Sequence, residues 1–306
     1  MQVRLPESRI ADAPQVDAGN SILANRISLV ETHLAAHSMP AGRFVIRSAT
    51  RGRELCRLDG RSLRIDDDVY LIINEDTAYD IRIAASRSVE SFAIEFRRGL
   101  AEEVLASMVL PLHSGLECPD AQLPYPVRFT ECLRAHDSLV SPPLRFIRHH
   151  ARRAAQDDGW YDEQLLFLFE RMLRGEQQIQ KTIGRIPAVR RSTRRELFRR
   201  VSLATDYIES NYESDLTLTD VASAASMSRC HLLRWFTLIH GKTPREYLQR
   251  RRLQAAMHLL ELDDTPIEEI AAEVGLARST LARRMRRHIG TLPTVFRQMY
   301  ALGNRA

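Results

Sequence analysis

The chain has 306 residues, a net charge of +5 and 44% apolar residues, enough for two domains with a core in each. No apolar run approaches the ~20 residues that span a bilayer and no basic-then-apolar leader opens the chain, so a soluble, cytoplasmic protein with no membrane partner is expected. The charge is uneven: from Arg190 onward 20 Lys+Arg face 13 Asp+Glu, a balance of +7, against 24 and 26, or −2, before it, which assigns a polyanion partner to the second half alone.

Residues 20–38 read as a helix, with Ile22, Ile27, Leu29, Val30 and Leu34 as its apolar set. His33 and His37 lie four apart there, but no third ligand is near and no metal is expected. Residues 43–97 change character. Tyr79, Ile81 and Ile83 alternate with polar residues, as do Phe92, Ile94 and Phe96, so half-buried strands are predicted. The uniformly apolar Val69–Ile73 run fits a central strand. Asp59-Gly60, Asp66-Asp67-Asp68 and Asn74-Glu75-Asp76 read as turns, and the aspartates as a solvated turn rather than a metal site.

From about Gly99 the pattern turns helical. Trp160, Leu165, Leu166, Leu168, Phe169, Met172 and Leu173 form a dense apolar set, which serves either as a core helix or as a dimer contact. Residues 182–196 carry Gly184, Pro187 and five arginines and read as an exposed interdomain linker. The cysteines, Cys56, Cys118, Cys132 and Cys230, have no metal or redox-motif spacing and read as reduced thiols.

The last third repeats itself. Residues 218–247 align on 267–296 with a shift of 49: Ala222 meets Ala271, Leu232 meets Leu281, Arg234 meets Arg283, Gly241 meets Gly290 and Pro244 meets Pro293. One supersecondary unit is used twice, and it reads as helix, turn, helix, glycine stop. In the first unit a leading helix over 197–212 precedes a helix at 218–225 with Thr217 and Asp220 as a capping pair. Ser226-Met227-Ser228 is the turn. The recognition helix is Arg229 to His240, capped by Ser228 and stopped by Gly241. Leu232, Trp235, Phe236 and Ile239 face inward, while Arg229, Cys230, Leu233 and Arg234 point toward a nucleic-acid groove.

Pro244 opens a helix to about Leu262, roughly 28 Å at 1.5 Å per residue, comparable with the ~34 Å between major-groove faces. Arg250, Arg251 and Arg252 on it either reach phosphates or form a solvated face. Thr265-Pro266-Ile267-Glu268 reads as a capping box opening the second unit. Its recognition helix, about 278–288, carries Arg278, Arg283, Arg284, Arg286 and Arg287, a charge density that suits phosphate contact.

Residues 197–300 resemble the DNA-binding domain of the AraC/XylS family of bacterial transcription regulators. The resemblance is carried by Leu218, Ala222, Met227-Ser228, His231-Leu232, Arg234, Phe236, Gly241, Thr243-Pro244, Tyr247-Leu248, Ala256, Leu259-Leu260, Ile267, Ile270-Ala271, Val274-Gly275, Gly290, Pro293 and Arg297. It implies two recognition helices in adjacent major grooves. The DNA-facing set is then Ser228, Arg229, Cys230, His231, Leu233 and Arg234 in the first unit, and Arg278, Ser279, Thr280, Arg283, Arg284, Arg286 and Arg287 in the second. Gly275-Leu276 stands where the family usually has Gly-Phe. The following turn, Ala277-Arg278-Ser279-Thr280, reads as one residue short, which would rotate the second helix and leave it as a phosphate clamp.

More weakly, the first half resembles a cupin-like regulatory domain. The expected fold is α+β: an N-terminal cupin-like β-barrel or sandwich with helices (1–181, effector binding and dimerisation), a linker (182–196) and an all-α DNA-binding domain (197–300) whose two helix-turn-helix units share a linker helix. The resemblance implies a transcription activator acting on promoter DNA as a homodimer, contacting RNA polymerase and answering a small-molecule effector. No cofactor and no catalysis are expected. A metal-dependent cupin oxygenase is disfavoured because residues 43–97 contain no histidine to serve as a ligand. An effector-free architectural DNA binder does not account for the long first half.

Overall fold

A computed structural model of the chain, which describes residues 25–109, 127–153, 158–262 and 265–303, begins with a strand where the sequence predicts a helix. Strand β1 (Arg26–Met39) pairs antiparallel with β6 (Tyr79–Phe96) from Arg26 opposite Glu95 to Met39 opposite Tyr79. The apolar residues of this stretch fit a helical period, but in the strand they divide between its two faces. Ile27 and Leu29, two apart, pack on the core, while Val30 and Leu34 remain exposed. Pairing along an entire neighbouring strand overrides the local helical pattern. His33 and His37 are exposed on β1, and Cys118 lies outside the described residues.

The chain divides into two compact units, Met1–Lys181 and Thr182–Ala306. The first holds β2 (Phe44–Thr50), β3 (Glu54–Leu58), β4 (Arg61–Ile65), β5 (Val69–Ile73) and β7 (Leu133–Ala135) besides β1 and β6. The antiparallel sheet runs β4-β3-β6-β2-β5-β7, with β1 also on β6, and curls into a near-closed barrel. The two alternating runs at 79–83 and 92–96 belong to the single 18-residue β6, whose first part pairs with β3 and whose last part pairs with β2. Asp59 and Gly60, both at positive φ, make the two-residue turn between β3 and β4.

The sheet is apolar on both faces. In β5, Val69, Leu71 and Ile73 join one cluster with Leu58, Leu63 and Ile81, while Tyr70 and Ile72 join another with Phe92, Ile94 and Phe96. That double cover explains its unbroken apolar run. The second cluster is closed by α1 (Leu100–Val109), α2 (Ser141–Ala151) and α3 (Asp158–Gly184). Leu165, Leu168, Phe169 and Met172 of α3 face that core, but Leu166 does not: it and Phe167 are each 44% exposed. Asp66 accepts from the Asp68 amide as a turn residue, and Arg82 is exposed.

The second unit is helical: α4 (Arg191–Asn211), α5 (Leu218–Ala224), α6 (Arg229–His240), α7 (Pro244–Leu262), α8 (Ile267–Glu273), α9 (Arg278–Ile289) and α10 (Pro293–Gly303). Helix α4 begins six residues earlier than the sequence suggests, so residues 191–196 are its first turns and not linker. One core joins the two halves of this unit: Val201, Ile208, Leu232 and Phe236 pack in the same cluster as Ala256, Leu260, Ile270, Leu281 and Met285.

Candidate nucleic-acid interface

The duplication extends to single backbone bonds. Met227 N–H donates to Ala222 O at 2.9 Å, and 49 residues on, Leu276 N–H donates to Ala271 O at 2.8 Å. Ser226 and Gly275 occupy equivalent places, both left-handed, with φ of 51° and 68°. Each turn spans four residues, 225–228 and 274–277, and each following helix has twelve. The second turn is therefore as long as the first. Gly241 and Gly290 end α6 and α9 in the left-handed conformation.

The caps differ. Thr217 and Asp220 form a full capping box on α5, and Ser228 Oγ accepts from His231 N–H at the start of α6. Helix α8 starts after Pro266, which holds the cap position and offers no side-chain cap, one residue later than the box at Thr265–Glu268 predicts. Ala277 likewise offers α9 no hydroxyl.

Burial separates the faces. Leu232 and Phe236 of α6 are in the core, while Ser228, Arg229, Cys230, His231, Leu233 and Arg234 are exposed and lie together on its first two turns. The Arg234 guanidinium stands 5.0 Å from the Trp235 ring centroid. On α9, Leu281 and Met285 are buried; Arg278, Ser279, Arg283, Arg286 and Arg287 are exposed, and Thr280 and Arg284 are half-buried. Arg284 has its pKa lowered by burial and by the cations Arg283 and Arg245. Crowded cations with no acid in the first turn of α9 suit an incoming polyanion.

The three arginines of α7 do not act together. Arg250 is exposed, but Arg251 and Arg252 are buried and neither reach phosphates nor form a solvated face. Arg251 Nε donates to Glu209 at 2.6 Å, and the same carboxylate accepts from Tyr247 Oη. Arg252 donates to the carbonyls of Tyr212, Ser214 and Gly275. Adjacent arginines on a charged helix read alike in sequence; only the carboxylate and carbonyls contributed from elsewhere distinguish them.

A helix-turn-helix domain family matches residues 221–299. The lactose operon transcription activator of Staphylococcus xylosus is 30% identical over 103 residues, covering 33% of this chain and 37% of that protein. The bifunctional transcriptional activator/DNA repair enzyme AdaA of Bacillus subtilis (strain 168) is 36% identical over 100 residues, 32% of this chain and 47% of that protein. The chain thus spans less than half the length of these relatives. A solved transcriptional regulator of Chromobacterium violaceum, described by its AraC-type DNA-binding domain, is 27% identical, covers 33% of this chain and 92% of that one, and has a TM-score of 0.32.

Proposed function

We propose that the chain is a sequence-specific transcription regulator of promoter DNA, of the AraC/XylS type that its tandem helix-turn-helix unit resembles. The observation that carries this reading is the repeated turn, which presents two exposed cationic helix faces from one shared core. Helix α6 enters a major groove, where Arg234 donates two hydrogen bonds to a guanine edge and Arg229 contacts a base or phosphate. Helix α9 supplies mainly phosphate contacts through Arg278, Arg283, Arg286 and Arg287. Ser228, Cys230, His231, Leu233, Ser279, Thr280 and Arg284 complete the facing surface.

The regulatory task falls to the first unit, which binds a small-molecule effector and dimerises. Exposed Leu166 and Phe167 on α3 support the dimer contact. Activation through RNA polymerase is proposed because the two relatives described above are named as activators. The chain is read as non-catalytic and cytoplasmic; no helix of the described residues is long and apolar enough to cross a membrane.

Selection of bound duplexes from a random pool tests the reading. A single enriched motif, with R234A losing about 1–3 kcal/mol on it, is expected. Enrichment of no motif would reject sequence-specific regulation.

A further inference from the structure

We propose that the first two turns of α4 form a third DNA-contacting element, a clamp on the sugar-phosphate strand beside the first recognition helix; the inference rests on the DNA-binding reading above. Arg191, Arg195 and Arg199 recur every four residues along one flank of α4 and are all exposed. An open groove of 460 Å³ separates this part of α4 from the start of α6. Ser192, Thr193, Glu196, Leu197 and Arg200 line it on the α4 side, and Ser228 and His231 line it on the other, with Arg191 and Arg195 on the adjoining flank of α4 outside the lining. Ser228 and His231 belong to the surface that faces the duplex, so the groove opens where the duplex lies.

The dimensions select phosphate over bases. Packed helices lie about 8–10 Å apart, and the major groove of B-DNA is about 12 Å wide. A helix packed beside one that is seated in the groove therefore lies over the phosphate strand that borders it. The charges agree. Glu196 accepts from Arg199 at 2.8 and 2.9 Å and from Arg200 at 2.7 Å, so it neutralises part of this cationic surface. Arg200 also donates to Ser226 O at 2.9 Å, which ties α4 to the turn. Arg191 and Arg195 make no ion pair among the described residues. They are the cations left for a backbone phosphate, with the Ser192 and Thr193 hydroxyls as neighbouring donors.

The test is fluorescence anisotropy of the full chain across a salt series, on a random-sequence duplex of about 40 base pairs and on duplexes selected from that pool. R191A/R195A leaves two phosphates unneutralised, so it lowers the slope of log affinity against log salt by about 1.8, and the ranking of duplexes stays the same. R191K/R195K keeps the slope, since a point charge suffices for phosphate, and this variant controls for folding. E196Q releases Arg199 and Arg200 and steepens the slope. An unchanged slope in R191A/R195A overturns the proposal, and so does a changed ranking, which would put these arginines on base edges. A wild-type chain with no salt-dependent binding to either duplex would defeat the DNA-binding reading itself.

Discussion

Arg252 Nη1 lies 2.7 Å from the carbonyl oxygen of Gly275, and this contact ties the linker helix to the second turn. The same guanidinium donates to Tyr212 O and Ser214 O, each at 2.6 Å, just past the end of α4. One buried side chain thus joins the leading helix, the linker helix and the second helix-turn-helix. R252M leaves three carbonyls without their charged donor, and a loss of about 2–4 kcal/mol is expected. G275A acts on the same joint: its Cβ would stand 2.3 Å from Glu213 O, on a backbone with φ of +68°. A loss of at least about 2 kcal/mol is expected from the conformation and the clash together. Urea unfolding followed by Trp235 fluorescence in a W160F background reads both; an unchanged midpoint in either variant would refute the joint.

Ser226 holds the place of Gly275 in the first turn, left-handed at φ 51° and without glycine's freedom. S226G is expected to stabilise the second unit by about 0.5–1 kcal/mol, the relief of strain exceeding the added unfolded-state entropy. A lower urea midpoint for S226G would show that the serine side chain contributes more than its backbone costs.

The repeat is legible in the sequence because its signals are local. Gly241, Gly290, Ser228 and the inward Leu232 and Phe236 each act within one or two helical turns of their own position. Strand β1 is not legible, because β6, its partner, lies far along the chain, and Ile27, Val30 and Leu34 satisfy a helical period whereas only Ile27 and Leu29 mark the core face of the strand. Arg251 and Arg252 are ambiguous for a related reason. Their partners, Glu209 and the Tyr212 and Ser214 carbonyls, come from α4 and the loop after it, and no pattern within α7 marks which arginine turns inward. The first turns of α4 are hidden by composition: Gly184 and Pro187 signal a linker, and the arginines that follow read as its continuation.

Two half-buried histidines make both units acid-sensitive. His240 Nε2 lies 2.9 Å from Thr205 Oγ1, and burial, with Lys242 nearby, pushes its pKa down to about 4. His136 sits 2.8 Å from Ser141 Oγ, and burial, with Arg145 and Arg148, pushes its pKa to about 4 as well. A histidine that titrates near 6.5 unfolded and near 4 folded takes up its proton on unfolding between those values. Stability is therefore complete above about pH 6.5 and falls as pH drops toward 4, by on the order of 3 kcal/mol per histidine. H240Q, which can still bond Thr205, should flatten the Trp235-detected profile between pH 6.5 and 4. The same slope in H240Q as in wild type would acquit this residue.

Inside the barrel, Arg47 donates to Glu54 at 2.8 and 3.0 Å and to Ser91 at 2.9 Å, and Ser91 donates to Glu54 at 2.6 Å. Arg47 and Glu54 are both buried. E54A strands a buried guanidinium and is expected to cost about 3–5 kcal/mol, whereas R47M/E54L, which removes both charges, should fall within about 1–2 kcal/mol of wild type. Unfolding followed by Trp160 fluorescence in a W235F background measures both. Equal losses in the two variants would mean that the pair contributes by packing rather than by charge compensation.

The two recognition helices should fail differently when their arginines are removed. Helix α6 carries Arg229 and Arg234 beside exposed apolar and neutral side chains, Cys230 and Leu233, which can rest against base edges. Helix α9 exposes Arg278, Arg283, Arg286 and Arg287 and has no acidic residue in its first turn. Bases are discriminated by short directional contacts, whereas phosphates answer to charge. R234A is expected to lower affinity for the selected motif while leaving binding to random duplex nearly intact. R283A/R287A is expected to weaken both by similar factors and to reduce the salt slope by about 1.8, two counterion-releasing contacts at ~0.9 each. If R283A/R287A instead altered which motif is selected and left the slope alone, α9 would read bases in its own right.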